Sequence, residues 1–487
     1  MSKPNIVLIV MDTARASTVL ENRDVMPNLH QIADDGVTFT NAFTTGPWTL
    51  PSHASMFTGQ YTSDHGTYAD SRYFDPDVPT VAERVQEQGY QTVAFSNNMW
   101  VNPEFGFDRG FEDFITSWQL FEGGADLATI AKENRGTVSQ ALAVGKELFS
   151  RDGYKTFCNA LYTQLFRKRY DDGAYLTNYR IKRWFKKQRD ADRPFFLFAN
   201  YLEPHLEYRP PRGYRSEFFD SDADYEFATS VNQDPWAYIA GNEEMDERDF
   251  EALKSLYRSE LRYLDHRIGK LYDWLDERGE LENTALFVVG DHGENIGEHG
   301  LMDHQYCLYD TLLHVPLIAR YPETFDSGSN RTDLVEVKDL YATFMDLAGE
   351  TVSEHSTNGS QSLIKETDRE AAFAEYMVPQ PSMTSLEERI DGLSESVRQY
   401  DRGLRAIRTK EWKFIKGTDG GNELYNICED PNENQNIAAE HPEIHGELAS
   451  QIKNQLGDCM LPSSSDSNTD ADVEQGTKQR LEDLGYL

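Results

Sequence analysis

The chain has 487 residues, 39% of them hydrophobic and 12% aromatic, which is enough apolar material for a large core and excludes a disordered or fibrous protein. Its 47 basic and 83 acidic side chains give a net charge of −36. That charge repels polynucleotides and anionic lipid, so a nucleic-acid-binding role is excluded.

The elements are legible in chain order. Asn5 to Met11 is a run of apolar residues of the kind found in strands buried on both faces, and Asp12 follows it directly. The run is too short for a signal segment or a membrane span. A short helix is expected from Asn28 to Gly36, another from Thr80 to Gly89, and a strand from Gln91 to Ser96. Residues 115–190 are expected to be a mainly helical insertion, with the basic stretch from Arg180 to Lys187 on a solvated helix face. Phe195 to Asn200 is a second buried strand, followed by Glu203-Pro204-His205. A long amphipathic helix spans Phe250 to Arg278. Ala285 to Gly290 is a third buried strand, and it delivers Asp291-His292-Gly293-Glu294. Residues 351–370 and 379–400 are polar and aperiodic, and are read as loops. Strands at Leu404–Ile407 and Trp412–Ile415, with a helix from Pro442 to Leu456, describe a small α+β subdomain. Residues 459–475 are acidic and of low complexity, hence a disordered tail, and 476–487 are expected to form a terminal helix.

Alternating strands and helices define an α/β protein, and polar residues recur just after the buried strands: Asp12, Glu203 with His205, and Asp291 with His292. Two carboxylates and an imidazole at strand ends make a candidate divalent-metal set, although a strand-end aspartate also serves as a helix cap. Gly46 to Gly59 is a Pro- and hydroxyl-rich turn running into a helix, whose free amides favour an anion. Thr49 lies near that terminus, either as a cap or as a nucleophile. Four cysteines without metal spacing, and no span or leader, point to a reduced, cytoplasmic protein. The acids are dispersed along the chain, which suits a surface kept hydrated where salt screens self-repulsion; a halophilic source with an acidic proteome is expected.

The stretch Thr49-Leu-Pro-Ser-His-Ala-Ser-Met-Phe-Thr-Gly59 resembles the sulfatase signature C-x-P-S-R-x-x-x-L-T-G. The Asp12 strand, the segment Phe195 to Pro211, the loop Asp291 to Glu294 with Gly297-Glu-His-Gly300, Tyr309 to Pro316, Asn422 to Asn426 and the ending Arg480 to Leu487 resemble further landmarks of that family, in the same order. The resemblance implies an alkaline-phosphatase-like fold: a large mixed, mostly parallel sheet flanked by helices, with a small C-terminal α+β subdomain. It also implies a catalytic domain at 1–380 and a subdomain at 400–458.

Three departures qualify it. Thr49 stands where sulfatases carry the cysteine or serine that is oxidised, so no formylglycine is expected. His53 replaces the signature arginine. Asn97 and Asn98 stand near the place of a cationic segment. In related branches of the superfamily threonine is the nucleophile, and an asparagine holds the phosphoryl oxygen; Asn97 or Asn98 is the candidate here. The resemblance implies that Asp12, Thr49, Asp291 and His292 hold one divalent cation, Mg²⁺, Mn²⁺ or Ca²⁺, with Zn²⁺ as an option. It implies that His205 lies on the substrate side and that His304, or Gln305, faces the leaving group. His65, His299 and His314 are read as structural. The expected function is a metal-dependent ester hydrolase or transferase that uses Thr49 on small-molecule or glycan phosphate (di)esters or sulfate esters. The alternatives are a sulfuric ester hydrolase proper and a non-catalytic binding protein that keeps the fold.

Overall fold

A computed structural model describes residues 3–118, 120–121, 146, 153–162, 171–215, 217–350, 359–390 and 393–459. In chain order the strands are β1 (Asn5–Met11), β2 (Val37–Phe39), β3 (Ala42–Phe43), β4 (Gln91–Ser96), β5 (Asp113–Thr116), β6 (Phe195–Tyr201), β7 (Thr284–Gly290), β8 (Asn295–Ile296), β9 (Met302–Asp303), β10 (Leu317–Arg320), β11 (Ser329–Arg331), β12 (Val335–Glu336), β13 (Ala371–Tyr376), β14 (Leu404–Thr409), β15 (Trp412–Gly417) and β16 (Asn422–Asn426).

Eight of them form one sheet in the order β11-β2-β10-β7-β1-β6-β4-β5. Strands β7, β1, β6, β4 and β5 run parallel, and β10 is antiparallel to both of its neighbours. The unbroken apolar run of β1 is explained by burial on both faces. Ile6, Leu8 and Val10 join one core, under the helices Thr49–Thr58, Val81–Glu87 and Asp339–Leu347. Val7, Ile9 and Met11 join the other, under Pro27–Asp34, Ala174–Lys187 and Glu247–Glu277.

The register decides where the site lies. Met11 pairs with Tyr201 on β6 and with Gly290 on β7, and Ser96 on β4 pairs with Asn200. Asp12, Asn97, Asn98, Glu203, His205, Asp291 and His292 therefore emerge along one edge of the sheet, at the carboxyl ends of adjacent parallel strands.

The second sheet, β13-β14-β15-β16, is antiparallel. One face packs Ile407, Phe414 and Leu424 on Leu448 and Ile452 of the helix Pro442–Leu456. The other contributes Ala406, Ile415 and Tyr425 to the core of the main body. The small sheet thus takes in β13, which lies within the stretch assigned from sequence to the catalytic domain. The Glu375 amide donates to the Thr45 carbonyl, which ties β13 to the approach to the site.

The long helix begins at Glu247, three residues before the apolar periodicity, because Asp246 caps it and Asp249 completes a capping box. Residues 379–400, expected as loop, contain the helices Met383–Arg389, capped by Ser382, and Glu395–Arg398; both are too short to show periodicity. Within the expected helical insertion, Gly153–Tyr162 and Ala174–Lys187 are helices, while Ile115 and Thr116 finish β5. The acidic tail and terminal helix expected beyond residue 459 lie outside the described residues, as do 351–358. Among the described residues no helix is long and apolar enough to cross a membrane.

Candidate active site

Asp12 leaves β1 with its amide bound to the Tyr201 carbonyl, and Asp291 leaves β7 with its amide facing the Met11 carbonyl. The two carboxylates are thereby set side by side. Oδ1 of Asp291 accepts from the amides of Thr13, at 3.2 Å, and His292, at 2.8 Å. Thr13 adopts a left-handed backbone, φ 56°, unusual for a β-branched residue and placed beside the site. Nδ1 of His292 donates to the Gly293 carbonyl at 2.8 Å, which leaves Nε2 as the bare nitrogen. That Nε2 lies 3.6 Å from Asp12 Oδ1 and 3.6 Å from Asp291 Oδ2.

Those two oxygens have no hydrogen-bond partner, and all three residues are fully buried. Burial and the neighbouring Asp291 charge raise the Asp12 carboxyl well above its usual range. Burial lifts Asp291 to about 7. Burial, helped by the His304 charge, lowers His292 far below an ordinary imidazole. Orphaned carboxylate oxygens turned toward a deprotonated imidazole nitrogen are the donor set of a divalent cation, and the ligand atoms of Asp12, Asp291 and His292 lie within 4.8 Å of one another. The residues fit the group.

Thr49 is the first residue of the helix Thr49–Thr58, all ten residues of which are buried. Pro51 is tolerated in the first turn, and Gly59, at φ 72°, closes the helix. The capping position belongs to Trp48, and the Thr49 hydroxyl makes no cap. Its Oγ1 lies 3.3 Å from His292 Nε2 and accepts from Asn98 Nδ2 at 3.3 Å. The helix amides and dipole therefore face the cluster from the Thr49 end.

Asn98 is the bridging residue of the pair left open by the sequence. Its Oδ1 accepts from the Trp100 amide at 2.8 Å, which fixes the amide orientation, and Nδ2 donates to both Asp12 and Thr49. Asn97 is not brought to the cluster: its Nδ2 donates to the Asp172 carbonyl at 2.7 Å. His53 lies behind Thr49, donating from Nδ1 to the Thr49 carbonyl at 2.9 Å and accepting at Nε2 from Asn200 at 3.1 Å. Burial lowers its pKa to about 4, so it stands neutral where the signature carries a cation.

On the opposite side, the His304 ring lies 4.6 Å from that of His292 and 5.5 Å from that of His205. Burial opposes the charge on His304, but its ion pair with Asp303 and the Glu294 carboxylate outweigh that and raise its pKa well above normal. Burial and the His304 charge lower His205 to about 4. Gln305, the alternative to His304, instead donates to Asp303 Oδ2 at 2.7 Å. His65 and His314 are structural: His65 bonds Ser55 Oγ at 3.1 Å, and His314 Nε2 meets the Thr40 carbonyl at 2.8 Å. His299 stacks on Tyr309.

Sequence reasoning missed Glu294 and Asp303 as site residues. Glu294 had a signal, as the last member of Asp291-His-Gly-Glu. Asp303 had none beyond its place before His304, because the loop folds through two-residue strands and left-handed residues, His299 at φ 56° and Asp303 at φ 70°, that carry no periodicity.

Comparison with known proteins bears on the family and the fold. Residues 4–350 match the sulfatase family. An arylsulfatase of Clostridium perfringens is 26% identical over 89% of this chain and 90% of its own length. A choline-sulfatase of Rhizobium meliloti is 24% identical over 90% and 82%. The fold is that of a phosphonate monoester hydrolase of Agrobacterium radiobacter, with a TM-score of 0.65, 18% identity and coverage of 93% and 95%. It is also that of a protein solved with its substrate D-glucosamine-2-N,6-O-disulfate, with a TM-score of 0.63, 18% identity and coverage of 96% and 100%. The chain belongs to the sulfatase family and is a sulfatase-like hydrolase.

Proposed function

We propose that the protein is a metal-dependent hydrolase of phosphate or phosphonate esters of small molecules or glycans, with Thr49 as its nucleophile. The observation that carries this reading is the buried Thr49 hydroxyl, uninvolved in capping, 3.3 Å from His292 Nε2 at the edge of the Asp12, Asp291 and His292 cluster.

A divalent cation held by Asp12, Asp291 and His292, with the Thr49 oxygen beside it, supplies a lowered hydroxyl pKa and neutralises the non-bridging oxygens. Thr49 Oγ1 releases its proton to solvent and forms a bond to phosphorus as the bond from phosphorus to the ester oxygen breaks. The Asn98 amide, pinned by the Trp100 backbone, donates to the charged oxygens. His53 holds the Thr49 turn in place through the Thr49 carbonyl. The leaving oxygen exits toward His205 and His304, and His304, held protonated by Asp303 and Glu294, supplies its proton. Water then attacks phosphorus, and Thr49 recovers its hydroxyl.

Phosphorus is preferred over sulfur because His53 is neutral and no lysine or arginine is ion-paired to the Asp12 and Asp291 carboxylates among the described residues. The second reading is sulfate-ester hydrolysis by the same unmodified Thr49, supported by the sulfatase names of the curated relatives. The dispersed negative charge supports a halophilic setting for either reading.

The test is a paired assay of an aryl phosphodiester and an aryl sulfate, with and without Mn²⁺, on wild type and Thr49→Ala. The reading expects Mn²⁺-dependent turnover of the phosphodiester, faster than that of the sulfate and lost in the variant. Faster sulfate turnover favours the second reading. Wild-type rates in Thr49→Ala on both substrates overturn both.

A further inference from the structure

Glu294, Asp303 and His304 form a second buried cluster, and their ligand atoms also lie within 4.8 Å of one another. We infer that this cluster is a second divalent-cation site adjoining the first, so that the loaded centre holds two cations. The inference rests on the proposed reading of the first site and deepens it, by assigning charge neutralisation at the leaving oxygen to a cation.

Three observations carry it. First, Glu294 is fully buried and neither of its carboxylate oxygens has a partner in hydrogen-bond geometry. It faces the Tyr208 hydroxyl and the His304 ring, whose Nδ1 is 3.7 Å from Glu294 Oε1, a separation that two ligands of one cation span. A buried carboxylate with no partner closer than the His304 ring is under-compensated, and a cation removes that cost.

Second, the carboxylates outnumber the cationic side chains that face them. Asp12, Asp291, Glu294 and Asp303 place four carboxylates within one buried pocket. Among the described residues no lysine or arginine is ion-paired to any of the four. A cation at the first site would serve Asp12 and Asp291 and leave Glu294 and Asp303 with His304 as their one ion-pair partner among the described residues.

Third, the geometry suits a paired centre. The His292 and His304 rings are 4.6 Å apart, so the two clusters flank the same space, with Thr49 at one end and His205 at the other. In-line displacement develops charge on both the entering and the leaving oxygen, and paired cations serve both. Two carboxylates and one imidazole suit Mn²⁺ or Zn²⁺ better than Ca²⁺. With the second cation bound, His304 would be its ligand through Nδ1, and the cation rather than an imidazolium would offset charge on the leaving oxygen.

The experiment measures bound Mn²⁺ per chain after equilibration and desalting, with electron paramagnetic resonance of the same samples, for wild type, Glu294→Gln, Asp303→Asn and Asp12→Asn. The inference expects two equivalents and a spin-coupled signal in wild type. It expects one equivalent and an uncoupled signal in Glu294→Gln and Asp303→Asn, each still binding at the first site. One equivalent in wild type, unchanged in Glu294→Gln and lost in Asp12→Asn, overturns the second site and leaves the first standing. No bound Mn²⁺ in wild type, or a count insensitive to Asp12→Asn, overturns the reading of the first site as well. Because the wild-type stoichiometry and spin coupling decide the question alone, a variant that fails to fold does not protect the inference.

Discussion

Two of the places where this molecule buries acids treat them differently. Where the helix after the site loop meets the small sheet, Asp310 is paired with Lys413 at 2.5 Å and Arg408 at 2.9 Å, and Lys413 also meets Glu433 at 3.3 Å. Two carboxylates there face two fixed cations, and although burial alone would raise the Asp310 carboxyl, Lys413 and Arg408 hold it well below its usual range. At the carboxyl edge of the main sheet, Asp12 and Asp291 face each other with no lysine or arginine among the described residues ion-paired to them, and both are raised. The chain supplies its own counter-ions to Asp310 and Glu433 and withholds them from Asp12 and Asp291. Uncompensated carboxylates set beside a bare imidazole nitrogen, rather than acidity, are what distinguish the site.

The largest expected break in that comparison comes from Asp12→Asn. Activity should fall on the order of a thousandfold, the scale of losing a main electrostatic contact in the transition state. In chelated protein the same variant should be more stable, by about 1–2 kcal/mol, because a repelling buried charge is gone. Melts in a chelator compare the two proteins, and a less stable variant would contradict the account of an uncompensated pair.

The mirror experiment is Lys413→Met. Removing this fully buried cation leaves Asp310 and Glu433 short of a partner and should cost about 3 kcal/mol, with activity per folded molecule kept. The sign with pH follows from Asp310. Its folded pKa is depressed, so its contribution is present above the unfolded value near ~4 and is lost as pH falls through the folded value. The gap between wild type and variant in denaturant melts should persist at neutral pH and close below about pH 4. A gap independent of pH would show that packing, not charge, is at work.

How much of this was legible in the sequence depended on the kind of signal. β1, β6 and β7 are continuous apolar runs, so the strands and the polar residues that follow them could be read directly, and the register of Met11 with Tyr201 and Gly290 explains why those residues converge. Asn97 and Asn98 could not be separated, because adjacent residues after a strand diverge and only the backbone shows that Asn98 turns toward Thr49. Asp303 was illegible because its loop is held by left-handed residues and not by periodicity. β13 was missed because its partner, β14, lies more than twenty-five residues onward, and a six-residue run does not announce a distant pairing.

The smallest effect concerns the exposed acids, which neither region contains. With a net charge of −36, raising salt from ~0.1 M to ~1 M shortens the Debye length from ~10 Å to ~3 Å and should raise the melting temperature by several degrees. An unchanged melting temperature would remove the halophilic reading without touching the site.

The most direct test of the central claim is mass spectrometry of the peptide containing Thr49, taken from resting protein and from protein quenched in acid during turnover of a phosphodiester with Mn²⁺. The account predicts an unmodified threonine in the resting protein and a phosphoryl adduct on Thr49 that disappears as substrate is exhausted. An adduct on another residue, or turnover that continues in Thr49→Ala with no adduct at all, would contradict it.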